Sequence, residues 1–202
     1  MPTELVLAND QAAIDGIRAA GAKQLILAPG NGYTGGHSWL QYTCATCEPN
    51  SDYLYKLTDP LKNTGIDVHE YLDTDFSGQH QVCNQSGPAN LAGLTTWLQQ
   101  HNLKALISET GADNNTMCDT YLSDLLTYIG KQPEYIGWAM WAAGPFWGAG
   151  SPCCNDGAQL GSLEPGIAAG GGGPPLYQTV WQKVVQPLVP VNTLKRKGVS
   201  SL

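Results

Sequence analysis

The chain alternates between short apolar runs and amphipathic stretches, and this alternation is what most narrows its fold. Thr3–Ala20 reads as a helix, with Thr3 available as a cap and Val6, Ala13, Ile14 and Ile17 at helical spacing. Gln24–Ala28 is a short apolar run stopped by Pro29-Gly30-Asn31-Gly32, as expected of a buried strand. A loop rich in Gly and aromatics follows, then a predicted helix over Asp52–Leu61. Strands are expected at Ile66–Tyr71, Lys104–Glu109 and Tyr135–Trp141. Helices are expected at Pro88–His101, Asn115–Lys131 and Leu176–Val185. One helix followed by four strand–helix units predicts parallel strands joined by crossover helices.

Two α/β architectures satisfy this order: an open doubly wound sheet, or part of a (β/α)8 barrel. In both, the site lies at the C-terminal ends of the strands. Polar and aromatic residues cluster there after every predicted strand, at 31–39, 69–75, 109–114 and 141–147. A nucleotide-binding sheet would carry a G-x-G-x-x-G turn after its first strand. Pro29-Gly30-Asn31-Gly32 does not supply it, and no G-x-x-x-x-G-K-[ST] occurs.

Lys+Arg total 10 against 17 Asp+Glu, for a net charge of −7. That argues against nucleic acid or an anionic lipid surface as the main partner, since both require a basic face. No run of about 18 apolar residues is present to span a membrane. Trp 6 and Tyr 9 against Phe 2 is an unusual aromatic mix. Both favoured types combine a flat apolar face with a polar edge, as sugar-binding surfaces need.

The six cysteines, at 44, 47, 83, 118, 153 and 154, fit an oxidising compartment and up to three disulfides. Cys44-x-x-Cys47 could be half a zinc site, but no second C-x-x-C or nearby His completes it, so no metal or other cofactor is expected. Met1-Pro2-Thr3-Glu4 has neither the basic start nor the apolar core of a signal peptide. An extracellular chain lacking its N-terminal part is the expectation.

Glu109 ends an apolar strand, where its carboxylate would enter the cleft. His69 and Tyr71 are two apart on the preceding strand and share a face, with Glu70 on the other. A tyrosine hydroxyl bonded to a carboxylate fixes its orientation and favours its ionised form, which a carboxylate nucleophile needs. Trp141 lies at a strand end as a candidate floor for a sugar. Trp39 and Trp147 in the flanking loops could extend that platform, while Trp138 is expected to pack against helices.

Ile66-Asp67-Val68-His69-Glu70-Tyr71-Leu72-Asp73, Leu106-Ile107-Ser108-Glu109-Thr110-Gly111 and Gly137-Trp138-Ala139-Met140-Trp141 resemble the C-terminal half of glycoside hydrolase family 5. Fungal endo-β-1,4-glucanases (cellulases) are the members most resembled, and residues 24–39 resemble the family's fifth strand and loop. The resemblance implies a half (β/α)8 barrel of about four βα units over residues 1–190, matching strands five to eight; the basic tail over 191–202, with Lys195-Arg196-Lys197, reads from its own residues as mobile. The resemblance also implies retaining hydrolysis of β-1,4-glucan. Glu109 would be the nucleophile, His69 and Tyr71 its strand-six partners, and Trp141 the strand-eight stacking residue. Asn31 and Trp39 fall in the strand-five substrate loop. Tyr33 stands where many relatives have Trp. Cys83 and Cys118 match a disulfide of fungal relatives, while several pairings remain open for the other four cysteines.

The family's acid/base Glu sits in an Asn-Glu-Pro motif that does not occur here. A catalytically weak or silent β-glucan-binding half-barrel, or a fragment, is therefore the alternative. Four strands cannot close a barrel, so a homodimer covering the open sheet is a further expectation.

Overall fold

Residue types and spacing build the elements nearly as expected. The computed structural model describes residues 1–144, 147, 162–168 and 174–189. In chain order these form α1 (Thr3–Ala19), β1 (Ile26–Ala28), β2 (Thr64–His69), α2 (Gly87–His101), β3 (Ala105–Thr110), α3 (Thr116–Lys131) and β4 (Tyr135–Met140). A π-helical segment, Tyr177–Val185, comes last and leads into a 3-10 turn at Gln186–Leu188. The strands make one parallel sheet in the order β1-β2-β3-β4.

One sheet face and two helices close the core. Ile66, Val68, Ala105 and Ile107 join Leu91, Leu94 and Leu98 of α2 and Leu122, Leu125 and Ile129 of α3 in a single buried cluster. Thr95 ties the layers together. Its hydroxyl donates or accepts at Tyr128 (2.8 Å) and Tyr135 (2.9 Å), linking α2 to α3 and β4. Trp138 packs against the core from β4, as expected.

Two local expectations are corrected. Thr3 does not cap α1: Pro2 occupies the cap position, and the Thr3 hydroxyl donates to the Glu48 carbonyl at 2.6 Å. The segment 52–61 is not a helix, and holds only short 3-10 turns at Asn50–Asp52 and Leu54–Lys56. The Asp59 carboxylate explains this. It accepts from the N–H groups of Leu61 and Asn63 and from Arg18 of α1 at 2.7 and 2.8 Å, so local side-chain bonds outcompete the helical ladder. The basic tail 191–202, Cys153, Cys154 and the run Gly170–Gly173 lie outside the described residues.

Candidate active site

β2 and β3 bring the chemistry together through a break in their register. Val68 pairs with Ile107, then His69 pairs with Glu109, with an irregularity between Val68 and His69. Such bulges re-aim side chains. The Tyr71 hydroxyl, two residues beyond the bulge, donates to Glu109 Oε1 at 2.7 Å. His69 Nε2 lies 3.6 Å from Glu109 Oε2 and 4.0 Å from Asp67 Oδ2. Burial, and then the bond to Glu109, push the Tyr71 phenol well above its usual pKa. The proton stays on the tyrosine, which acts as the donor in this bond.

These three side chains open onto a cavity of about 480 Å³, walled by the loops after β1 and β2. The β1 loop prolongs the sheet: Thr34 O accepts from His69 N (3.0 Å) and His69 O accepts from Gly36 N (2.9 Å). Gly36 is required there, because a Cβ would fall 2.4 Å from Leu91 Cδ2. Gly32, Tyr33 and Thr34 all have left-handed backbone, and this turn leaves the Tyr33 ring 94% exposed at the rim. Behind it, buried Glu70 accepts from His37 N at 2.9 Å and from Asn90 Nδ2 at 3.0 Å. Glu70 thereby anchors His37 on the cavity wall.

The β2 loop winds around Asp73. Its buried carboxylate accepts from the N–H groups of Gly78, Gln79 and His80 at 3.0–3.1 Å. Asp73, Asp75 and His80 have donor atoms within 4.8 Å of one another, as a cation site would. The Asp73 oxygens are already spent on these loop groups, so the set fits a loop clasp better than a metal centre.

The structure brings Glu109, Tyr71 and His69 together. Trp141 follows β4, the strand next to β3, and is not among the residues lining this cavity. It is 40% exposed and meets Trp147 edge to face at 4.8 Å. Trp39 does not extend this platform. It is fully buried, edge to face with Trp97 at 5.5 Å, because its apolar ring completes the core beneath the β1 loop. Asn31 is half-buried and is not among the residues lining the cavity. Its amide donates to Met1 O (2.9 Å) and Thr3 Oγ1 (2.8 Å), which ties the β1 loop to the start of α1. Cys83 and Cys118 form a disulfide, as do Cys44 and Cys47, which excludes the zinc reading. Sequence alone does not single out His37 and Phe76, nor the role of Asp73 in gathering its loop. The turn signature Asp73-Thr74-Asp75-Phe76-Ser77-Gly78 was the available signal.

The model of the cellulase family, glycosyl hydrolase family 5, matches residues 3–146. The chain belongs to this family. It is 55% identical over its whole length to endoglucanase 1 of Robillarda sp., covering 51% of that protein. Among solved structures, an endo-beta-1,4-glucanase from Xanthomonas axonopodis pv. citri superposes with a TM-score of 0.77 at 29% identity, covering 93% of this chain and 55% of that one. XacCel5A in complex with cellopentaose gives 0.73 at 33% identity, covering 88% of this chain and 54% of that one. The chain thus spans about half the length of these family 5 relatives. Its four parallel strands and helices correspond to part of their (β/α)8 barrel.

Proposed function

We propose that this family 5 chain acts on β-1,4-glucan of the cellulose type by the nucleophile half of a retaining mechanism. The Tyr71–Glu109 hydrogen bond at the tip of β3 carries the reading. A Glu109 oxygen forms a bond to the anomeric carbon while the glycosidic C–O bond breaks and its electron pair leaves with the departing oxygen. Water then hydrolyses the glycosyl-enzyme ester. Tyr71 orients the carboxylate, His69 contacts the sugar at the cleaved bond, and Trp141 with Trp147 stacks it. The cellopentaose held by XacCel5A supports an oligosaccharide of this class as ligand.

A retaining mechanism also needs a second carboxyl about 5–5.5 Å away to protonate the leaving group. Besides Glu109, the carboxylate lining the cavity is Asp75, which is exposed and pairs with His80 at 3.2 Å. This favours a second reading, a β-glucan-binding unit with weak turnover or none. Losing a general acid costs about 10²–10⁴-fold, least for activated leaving groups. We also propose an extracellular setting, which the two disulfides support. Self-association is proposed through sheet residues left exposed, Leu25 beside β1 and Ile136 on β4. A light-scattering mass of one chain at high concentration would exclude it.

The test is hydrolysis of soluble cellulose and an aryl cellobioside by wild type and Glu109→Gln, with cellopentaose binding measured in parallel. Turnover abolished by Glu109→Gln supports the first reading. Binding with no turnover of either substrate supports the second. Turnover that survives Glu109→Gln overturns the assignment of the nucleophile.

A further inference from the structure

The loop after β2 holds an aromatic ring that the core does not use. Phe76 is one of two phenylalanines in the chain, and it lies outside the buried cluster. It lines the same cavity as Glu109 and Tyr71. Its ring lies flat on His37, with centroids 3.7 Å apart and planes 7° from parallel. Its backbone is left-handed, with φ of 61°. For a bulky residue that conformation costs on the order of 1–2 kcal/mol, and it persists only where surrounding contacts over-determine it. Strain of this kind gathers at ligand clamps.

Asp73 supplies those contacts. Besides the three loop N–H groups it accepts from Ser77 Oγ at 3.2 Å and meets His80 Nδ1 at 3.0 Å, while only 3% exposed. The loop it gathers lies directly on the nucleophile's partner. A Cβ at Gly78 would fall 2.5 Å from the Tyr71 ring, so only glycine lets the backbone cross there. One buried carboxylate therefore sets the height of the loop over Tyr71 and the place of Phe76 against His37. Glu70 fixes His37 from the opposite side.

We propose that the stacked Phe76–His37 pair is a saccharide-contacting wall of this cavity, and that Asp73 is the positioning residue that holds it there. The pair lines the cavity with stacked rings beside polar neighbours (Ser77, Gln79), the combination that suits a pyranose with apolar C–H faces and equatorial hydroxyls. This deepens the β-glucan reading and rests on it.

The experiment is calorimetric titration with cellopentaose of wild type and of Phe76→Ala, Phe76→Tyr, Asp73→Asn, Trp141→Ala and the double variant Asp73→Asn/Phe76→Ala. Thermal unfolding of each checks that the fold persists. Phe76→Ala is expected to weaken binding about three- to tenfold, the scale of one aromatic contact, and Phe76→Tyr to restore it. Asp73→Asn turns amide hydrogens toward loop N–H groups and is expected to weaken binding through Phe76. The double variant should then bind no more weakly than its weaker parent, which a merely structural loss of stability would not produce. Wild-type affinity in Phe76→Ala together with a loss in Trp141→Ala overturns the wall while leaving the β-glucan reading intact. Additive losses in the double variant overturn the role of Asp73. Wild type that fails to bind cellopentaose overturns the β-glucan reading, and the wall with it.

Discussion

Tyr71 donates its hydroxyl proton to Glu109 across 2.7 Å, and burial keeps that proton on the phenol. The bond orients the Glu109 carboxylate. Tyr71→Phe should slow covalent labelling of Glu109 by an activated 2-fluoro-cellobioside about 10²-fold, the scale of losing one preorganised donor. Cellopentaose affinity should change less than about threefold, because the bond acts on the proposed nucleophile. Mass spectrometry of the labelled chain reads the rate. An unchanged rate would mean that Tyr71 only packs.

Trp39 is expected to matter for stability. It is fully buried against Trp97, whose indole N–H donates to Ser51 O at 3.0 Å. Trp39→Ala should lower unfolding free energy by about 3–5 kcal/mol, the usual cost of emptying an aromatic core site. Denaturant titration measures the loss. A wild-type midpoint with weakened cellopentaose binding would restore Trp39 to the binding surface.

The fates of Trp39 and Glu109 mark how far the sequence could be read. Periodicity located all four strands within a few residues, because three are apolar runs beside Gly, Pro or Asn and β2 alternates apolar Ile66 and Val68 with polar Asp67 and His69. Glu109 was legible as a candidate because a carboxylate ending a strand enters the cleft, and the flanking family-like motifs separated it from an ordinary solvated strand-end Glu. The Tyr71–Glu109 contact was anticipated from a spacing of two, although β2 ends at His69 and the irregularity before it re-aims the tyrosine. Whether a loop tryptophan faces solvent or core depends on what the loop folds over. For Trp39 that is α2, some 50 residues away, so the local pattern holds no answer. The helix expected at 52–61 failed for a related reason, since its competitor Asp59 is held by Arg18 from α1.

The Cys83–Cys118 disulfide joins the end of the β2 loop to the first turn of α3, closing 35 residues of chain. In the loop-entropy account, a closure of that length stabilises by about 3–4 kcal/mol. Replacing both cysteines with serine should therefore lower Tm by about 8–15 °C for a domain of this size. The Cys44–Cys47 pair closes only three residues and should contribute much less. Scanning calorimetry of the two double variants compares them. Equal shifts would show that loop length does not govern the effect.

Asp10 on α1 gives the fold a pH dependence of unusual sign. One of its carboxylate oxygens is buried without a hydrogen-bond partner among the described residues. Burial raises its pKa to about 6, from an ordinary value near 3.8. Between these values the folded chain holds a proton that the unfolded chain releases, so stability falls as pH rises through this window. Below it, both states are protonated and the penalty is absent; above it, the penalty is complete. Because the side chain is partly open to solvent, about 1 kcal/mol is expected rather than the full linkage value. Asp10→Asn keeps the shape and removes the titration. Its Tm should match wild type near pH 4 and exceed it above pH 6. Two curves that stay parallel from pH 4 to 7 would mean that Asp10 is hydrated in the folded protein.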